Sequence, residues 1–361
     1  MLLTILGTPS PLTAAVLKCV QALAQAALGP YHWIAAGTAS DLRDALAERG
    51  QRPVLLYGDI PAMEIVTLLK SANAPIVVVL EPPAKIVRAV AKTRKISGLP
   101  ALRFASQSLA TLHEPALAET ALRIGPDVID VPIPEVVSYL AHHYRIPLDD
   151  AGMKAVVGRL FPGSSRPLPL MGDLVPDPGQ TPAIPHDGID YAELARIVLG
   201  GYDALVMGQP VTRFEWGAGI FLGAKPHGEP IQGPVELIGG KRCFLFGPYF
   251  HIPKGQWSAT VDFSVWDNIS GNILKVDVYT DRIIRELSSR MPREGRFSCS
   301  IDFTVEEPRM PLQIRLFNDE GAIEGRFDLH GITVDRGFRP ETARVADVRG
   351  ATQPETGSPL S

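Results

Sequence analysis

Cysteine is scarce in this chain. The three that occur in 361 residues, Cys19, Cys243 and Cys299, are odd in number and far apart, which excludes a disulfide framework and offers no paired spacing for a structural zinc. No metal is expected, and the thiols read as core filling. Charge of one sign is equally short: 39 acidic against 35 basic residues leave a formal net charge of -4, too weak a field to draw nucleic acid or anionic lipid. Neither nucleic-acid binding nor membrane insertion is expected, and no uncharged stretch reaches bilayer-spanning length. The first charged residue is Lys18, so the apolar start lacks the basic flank of a secretory signal, and a cytoplasmic location is the expectation.

What the chain does have is two kinds of hydrophobic period. Over residues 1–160 short apolar runs at 2–6, 32–35, 53–57, 76–80 and 128–131 alternate with segments whose apolar residues recur at helical spacing, as in Leu42, Ala45, Leu46 and Ile65, Leu68, Leu69. Runs such as "PIVVVL" are apolar throughout, which suits strands covered on both faces. The expectation is an α/β domain with a parallel, doubly wound sheet. Residues 161–208 read as a proline-rich linker ending in a short helix near 191–199, because repeated prolines exclude helix interiors and central strands.

From 209 to 336 the period changes to two. Trp257, Ala259, Val261, Phe263 and Val265 fall on one face and Ser258, Thr260, Asp262, Ser264 and Trp266 on the other. The same alternation places Phe297, Cys299, Ile301, Phe303 and Val305, then Leu312, Ile314 and Leu316, then Ile323, Phe327 and Leu329, toward a core. Short antiparallel strands broken by "PKG", "DNISGN" and "NDEG" indicate an all-β sandwich or jelly roll. The tail, 337–361, has the composition of a disordered segment. At this length two cores are the natural arrangement.

Several residues carry possible chemistry. The turn 7–13, "GTPSPLT", joins a strand to a helix capped at a Ser or Thr, where free N–H groups and the helix dipole favour an anion. Yet it holds two prolines and lacks the Gly-Lys-Ser/Thr ending of a nucleotide loop. Ser10, Thr13 and Lys18 are its only candidates for phosphate contacts. Asp59 follows a strand at its carboxyl end and is the candidate base of an active enzyme; capping a helix that starts at Pro61 would equally explain it. His142 and His143 lack a second ligand pair and read as exposed helix residues. In the β region Trp266 is an aromatic on a polar face, with Tyr279, Lys275, Asp277, Arg315 and Arg326 as further outward candidates for a glycan or protein partner. His251 reads as a core histidine, and Trp216 either as a surface residue or as part of a first buried strand.

The first 160 residues resemble a sulfotransferase of the P-loop-related superfamily. "LLTILGTPSPLTAAVLKCVQAL" stands where that family has its first strand, phosphate loop and helix; "PVLLYGDIPAMEIVTLLKSANAPIVVVLEPPAKIVRAV" resembles its central strands and helices; "VIDVPIPEVVSYLAHHYRIPLDD" resembles its late strand and helix. The resemblance implies phosphoadenosine phosphosulfate as cofactor in an active member, but the sequence departs from it at the residues that hold that donor. The basic Ser-Gly-Thr loop is replaced by Thr8-Pro9-Ser10-Pro11-Leu12-Thr13, Glu81 stands at the position of the Arg that contacts the 3′-phosphate, and Ala89 at that of the Ser. An anion in place of a cation opposes phosphate binding. The second region, through "GGKRCFLFGPYFHIPKGQWSATVDF", resembles β-sandwiches of glycan-related bacterial proteins, which implies carbohydrate binding. The resulting expectation is a P-loop-like pseudoenzyme with no cofactor, fused to a glycan- or partner-binding sandwich and acting in surface-polysaccharide production or assembly. An active sulfotransferase with an altered donor loop and a structural scaffold are the alternatives.

Overall fold

The computed structural model describes residues 1–163, 168–175, 189–224, 227–337 and 346–347. The chain forms two compact units: Met1–Thr212 with Phe250–Lys254 and Val305–Pro311, and Arg213–Tyr249 with Gly255–Thr304 and Leu312–Ser361.

The first unit is built on β1 (Leu2–Gly7), α1 (Pro11–Ala27), β2 (His32–Ala35), α2 (Ala39–Glu48), β3 (Val54–Gly58), α3 (Met63–Ser71), β4 (Ile76–Val79), α4 (Pro83–Arg94), α5 (Leu99–Ala116), β5 (Ala121–Ile124), α6 (Ile133–His143), α7 (Asp150–Leu160), α8 (Tyr191–Val198) and α9 (Asp203–Val206). The strands pair in the order β2-β3-β1-β4-β5, all parallel. Leu3, Ile5, Leu55, Val77 and Val79 pack on one sheet face with Leu12, Val16, Val20 and Leu23 of α1 and Val137 and Leu140 of α6. β1 and β4 sit between other strands and are buried on both faces, which is why they read as uninterrupted apolar runs.

The fifth strand corrects the sequence reading. It is β5, not residues 128–131; Pro126–Asp130 form a 3-10 turn. β5 is an edge strand with only one buried residue in four, so its sequence, Ala-Leu-Arg-Ile, carries no apolar run to reveal it. Part of the stretch expected as a linker also packs into this unit. Met171 is fully buried, and Ile133 N–H donates to the Pro169 carbonyl and Met171 N–H to that of Val131, both at 2.9 Å. Residues 164–167 and 176–188 of that stretch lie outside the described residues.

The second unit contains β6 (Arg213–Gly217), β7 (Leu222–Ala224), β8 (His227–Pro230), β9 (Val235–Glu236), β10 (Arg242–Phe250), β11 (Gly255–Trp266), β12 (Ile273–Tyr279), β13 (Ile283–Arg290), β14 (Gly295–Val305), β15 (Leu312–Asn318) and β16 (Arg326–Arg336). One sheet runs β13-β12-β15-β10-β7-β8; the other runs β14-β11-β16-β6, with β9 also on β16 and Ala346–Asp347 on β14. This is a β-sandwich. Phe244 of the first sheet meets Phe327 of the second edge to face at 5.1 Å, and Phe327 stacks on Phe263 at 4.9 Å. The expected inward set on β11, β14 and β15 is buried, and Trp216 with it. Ile323 is the exception, at 83% exposed. It precedes β16, and Gly325 at φ +110° breaks the two-residue alternation between them. Apart from Ala346–Asp347, the tail from 338 lies outside the described residues.

Candidate functional site

In the first unit the chain builds from β1 toward β3 and β2 on one side and toward β4 and β5 on the other. The switch point of the sheet is therefore the space beyond the carboxyl ends of β1 and β4, the usual ligand position in open α/β folds. The loop 7–13 lies there and is folded on itself. Ser10 caps α1, its Oγ accepting from Thr13 N–H at 3.3 Å and lying 3.1 Å from Thr13 Oγ1. Ala14 N–H donates to the Ser10 carbonyl at 3.1 Å. Pro11 has no N–H. The remaining first-turn donor, Leu12 N–H, points at Glu81 Oε2 at 3.3 Å.

Glu81 follows β4 and is 2% exposed, with Lys85 Nζ at 3.4 Å from its other oxygen. The protein's own carboxylate thus occupies the position where the helix dipole favours an anion. The loop is also tight: a Cβ on Gly7 would lie 2.7 Å from Thr13 Cγ2 and 3.2 Å from Val79 Cβ. Ser10 and Thr13 are buried and engaged with each other, while Lys18 is exposed, about 12 Å of helix rise from the cap. The structure does not bring the three together.

Asp59 does not cap a helix. α3 starts at Met63 with no side-chain cap, and the Asp59 carboxylate pairs with Arg94, whose guanidinium lies 4.5 Å from the centre of the Phe104 ring. His142 is exposed, but His143 is half-buried, and burial lowers its pKa. His251 is buried; Ser106 Oγ accepts from its backbone N–H at 3.1 Å and sits 3.2 Å from Nδ1. Desolvation pushes its pKa down to about 4. Burial pushes Cys19 and Cys299 up to about 12, so these thiols are inert toward nucleophilic chemistry near neutral pH.

The six sandwich candidates divide between two sheets. Trp266 ends β11, half-buried, directly across from Arg326 of β16, and Arg326 reaches Glu236 at 3.1 Å. Lys275, Asp277 and Tyr279 of β12 and Arg315 of β15 belong to the other sheet. Asp277 is not an exposed residue: it is 0% exposed, because Arg315, its cross-strand partner, folds over it with bonds of 2.7 and 2.8 Å. The same guanidinium lies 4.0 Å from the Tyr279 ring centre, and Lys275 Nζ lies 4.8 Å from that of Phe317. Alternation alone could not show this, because a carboxylate under a cross-strand guanidinium has the same sequence pattern as one in water.

No protein-family model matches the chain, and no curated protein matches it. Among solved structures the chain is similar to mouse sulfotransferase SULT7A1 complexed with PAP, at 12% identity over 48% of this chain and 72% of that one, with a TM-score of 0.33. It is also similar to the C-terminal CBM6 of LamC, a marine laminarinase from Zobellia galactanivorans, at 14% identity over 34% of this chain and 99% of that one, with a TM-score of 0.23. A third similar structure is TmCBM61 in complex with β-1,4-galactotriose, at 17% identity, 32% and 81% coverage and a TM-score of 0.22. A sulfotransferase and two carbohydrate-binding modules are thus among the structures to which the chain is similar. The role of Glu81 as a ligand to α1 was missed by sequence reasoning. Its substitution for a cation was the visible signal, but its partner lies 69 residues away.

Proposed function

We propose that the α/β unit is a sulfotransferase-like domain whose donor site is closed, and that the protein works through its β-sandwich, binding a glycan or a protein partner in surface-polysaccharide production or assembly. One observation carries the first half: Glu81 Oε2 accepts the Leu12 N–H while the carboxylate is 2% exposed. The neighbouring amides of the first turn already have partners within the loop, so an incoming phosphate finds no converging donors. It also meets a negative charge, which at contact distance and an effective dielectric of about 20 costs about 4 kcal/mol. Lys85, about half exposed, offsets only part of this.

The test is calorimetry with adenosine 3′,5′-bisphosphate at physiological salt. No measurable heat of binding is expected, and micromolar affinity would overturn the reading. For the sandwich, Trp266 is the test residue. It stands on the outer face of its sheet, and a stacked aromatic at a ligand site contributes on the order of 1–3 kcal/mol. Trp266→Ala should weaken binding of a glycan found by array screening about tenfold or more.

A further inference from the structure

Three polar side chains meet on the outer face of the sheet that carries Trp266. Ser264 of β11 and Asp328 of β16 stand directly opposite each other, and the ring of His330, two residues after Asp328, reaches the same face. Ser264 Oγ lies 2.7 Å from His330 Nε2, and Asp328 Oδ2 lies 4.0 Å from His330 Nδ1. The backbone is bent to bring the ring there. The register between β11 and β16 pairs Phe263 with Leu329 and Asp262 with Gly331, so His330 is the extra residue of a β-bulge. Gly331 leaves room for the bend, since a Cβ there would crowd the Trp216 carbonyl oxygen at 3.0 Å.

The arrangement fixes which nitrogen does what. A carboxylate beside Nδ1 favours the proton on that nitrogen, which leaves Nε2 to accept from the Ser264 hydroxyl. A serine that donates to a histidine oriented by a carboxylate supplies the nucleophile, the general base and the positioning group of covalent catalysis. The surroundings add two further parts. Arg296 of β14 bonds both oxygens of Asp262, two residues before Ser264, through Nε and Nη2, which leaves Nη1 for a developing oxyanion. Trp266 follows Ser264 by two residues on the same face, about 7 Å along the strand, within reach of the alcohol part of an ester. Ser264 is 8% exposed and the His330 side chain 31%, so the hydroxyl sits low on the face while the ring beside it meets solvent.

We propose that Ser264, His330 and Asp328 form a catalytic site that hydrolyses esters of short acyl groups. Ser264 Oγ bonds to the acyl carbon as its proton passes to His330 Nε2; the bond to the alcohol oxygen then breaks, and the alcohol leaves with that proton. Water next gives a proton to Nε2 and its oxygen to the acyl carbon, and the acid departs as Ser264 takes the proton back. Asp328 acts through the ring and is a positioning residue. The face of a sheet is shallow and offers no tunnel for a long chain, which limits the acyl group to one the size of acetyl. Contact with the alcohol rests on the reading of Trp266 as a binding residue given above; the chemistry at Ser264 does not.

The experiment treats the full chain with a fluorophosphonate, which labels activated serines, and follows hydrolysis of p-nitrophenyl acetate and p-nitrophenyl octanoate. The label should map to Ser264 by peptide mass spectrometry, and the acetate should be turned over faster than the octanoate. Ser264→Ala and His330→Asn should each lower kcat about 10²- to 10⁴-fold while keeping a cooperative melt. Asp328→Asn should lower kcat about tenfold with KM unchanged, and Asp328→Glu should recover most of the loss. Trp266→Ala should raise KM several-fold with Ser264 still labelled. Labelling of Ser264 with an unchanged KM in Trp266→Ala would support the site and count against the Trp266 reading, so the two fail separately. The proposal is overturned if wild type takes no label, if the label maps to another residue, or if the octanoate is hydrolysed as fast as the acetate. It is also overturned if His330→Asn hydrolyses the acetate as fast as wild type, which would leave the pair only the task of holding β11 against β16.

Discussion

Two buried carboxylates sit where each unit would be expected to meet a ligand, and they are held in different ways. Glu81, at the carboxyl end of a parallel sheet, is held by a helix amide and a half-exposed lysine. Asp277, on a face of an antiparallel sheet, is held by two bonds to one arginine. At the end of a parallel sheet the amides of a helix converge on one point, so a single carboxylate from the next strand can fill that point with little cationic help. Across an antiparallel face no amides converge, and a carboxylate can be buried only if the neighbouring strand supplies a cation. The first arrangement fills the amide cluster at a helix start. The second builds a ladder of charge and rings.

The largest effect that would sharpen this contrast comes from removing the cation. Arg315→Met leaves Asp277 buried and unpaired and should destabilise the second unit by about 3 kcal/mol, the low end for a broken buried pair because the arginine still reaches solvent. Replacing both, Asp277→Leu with Arg315→Met, should restore most of that loss in a urea melt. A double variant no better than the single one would mean that the carboxylate is not held by charge.

Next in size is a pH effect on the first unit. His251 lies within the Phe250–Lys254 segment that packs with it, and burial holds its folded pKa at about 4, below the 6.5 of a solvated histidine. Neutral in the folded state, it takes up a proton more readily when unfolded. The stability it contributes is present above about pH 6.5 and is lost as pH falls toward 4, about 2 kcal/mol between pH 7 and pH 5. Thermal melts of wild type and His251→Asn at the two pH values should differ by that amount; equal pH dependence would remove the histidine from the account.

Glu81→Gln is expected to cost only about 1 kcal/mol, because Leu12 N–H can still donate to the amide oxygen and only the charge is lost. The smallest change in stability is expected for Trp266→Ala, about 1 kcal/mol or less in the melt. A collapse of the second unit on that substitution would show that the ring is core and not surface, and would remove Trp266 as a binding residue.

Much of the architecture was legible because burial on both faces writes itself into sequence. β1, β3 and β4 show as apolar runs, and β11, β14 and β15 show as strict alternations. β5 did not show, since an edge strand is half solvated and reads like a loop. The capping of α1 by Ser10 was legible for the same local reason, as the cap lies three residues from the amide it serves. The site was less so. Asp59 with Arg94 and Asp277 with Arg315 are pairs of residues 35 and 38 apart, and no local pattern joins them.

By itself the sequence determined the class of each unit, the change of period near residue 209, the two prolines and missing Gly-Lys-Ser/Thr ending of the 7–13 turn, and the presence of an anion at position 81. These follow from side-chain chemistry and short-range periodicity, which act over a few residues. Only the tertiary structure decided that Glu81 faces the α1 amides, that Asp277 is covered, and that the proposed sandwich residues lie on two different sheets. Each of these is a contact across tens of residues, set by how strands are ordered and where a single glycine shifts the register, and periodicity carries no record of either.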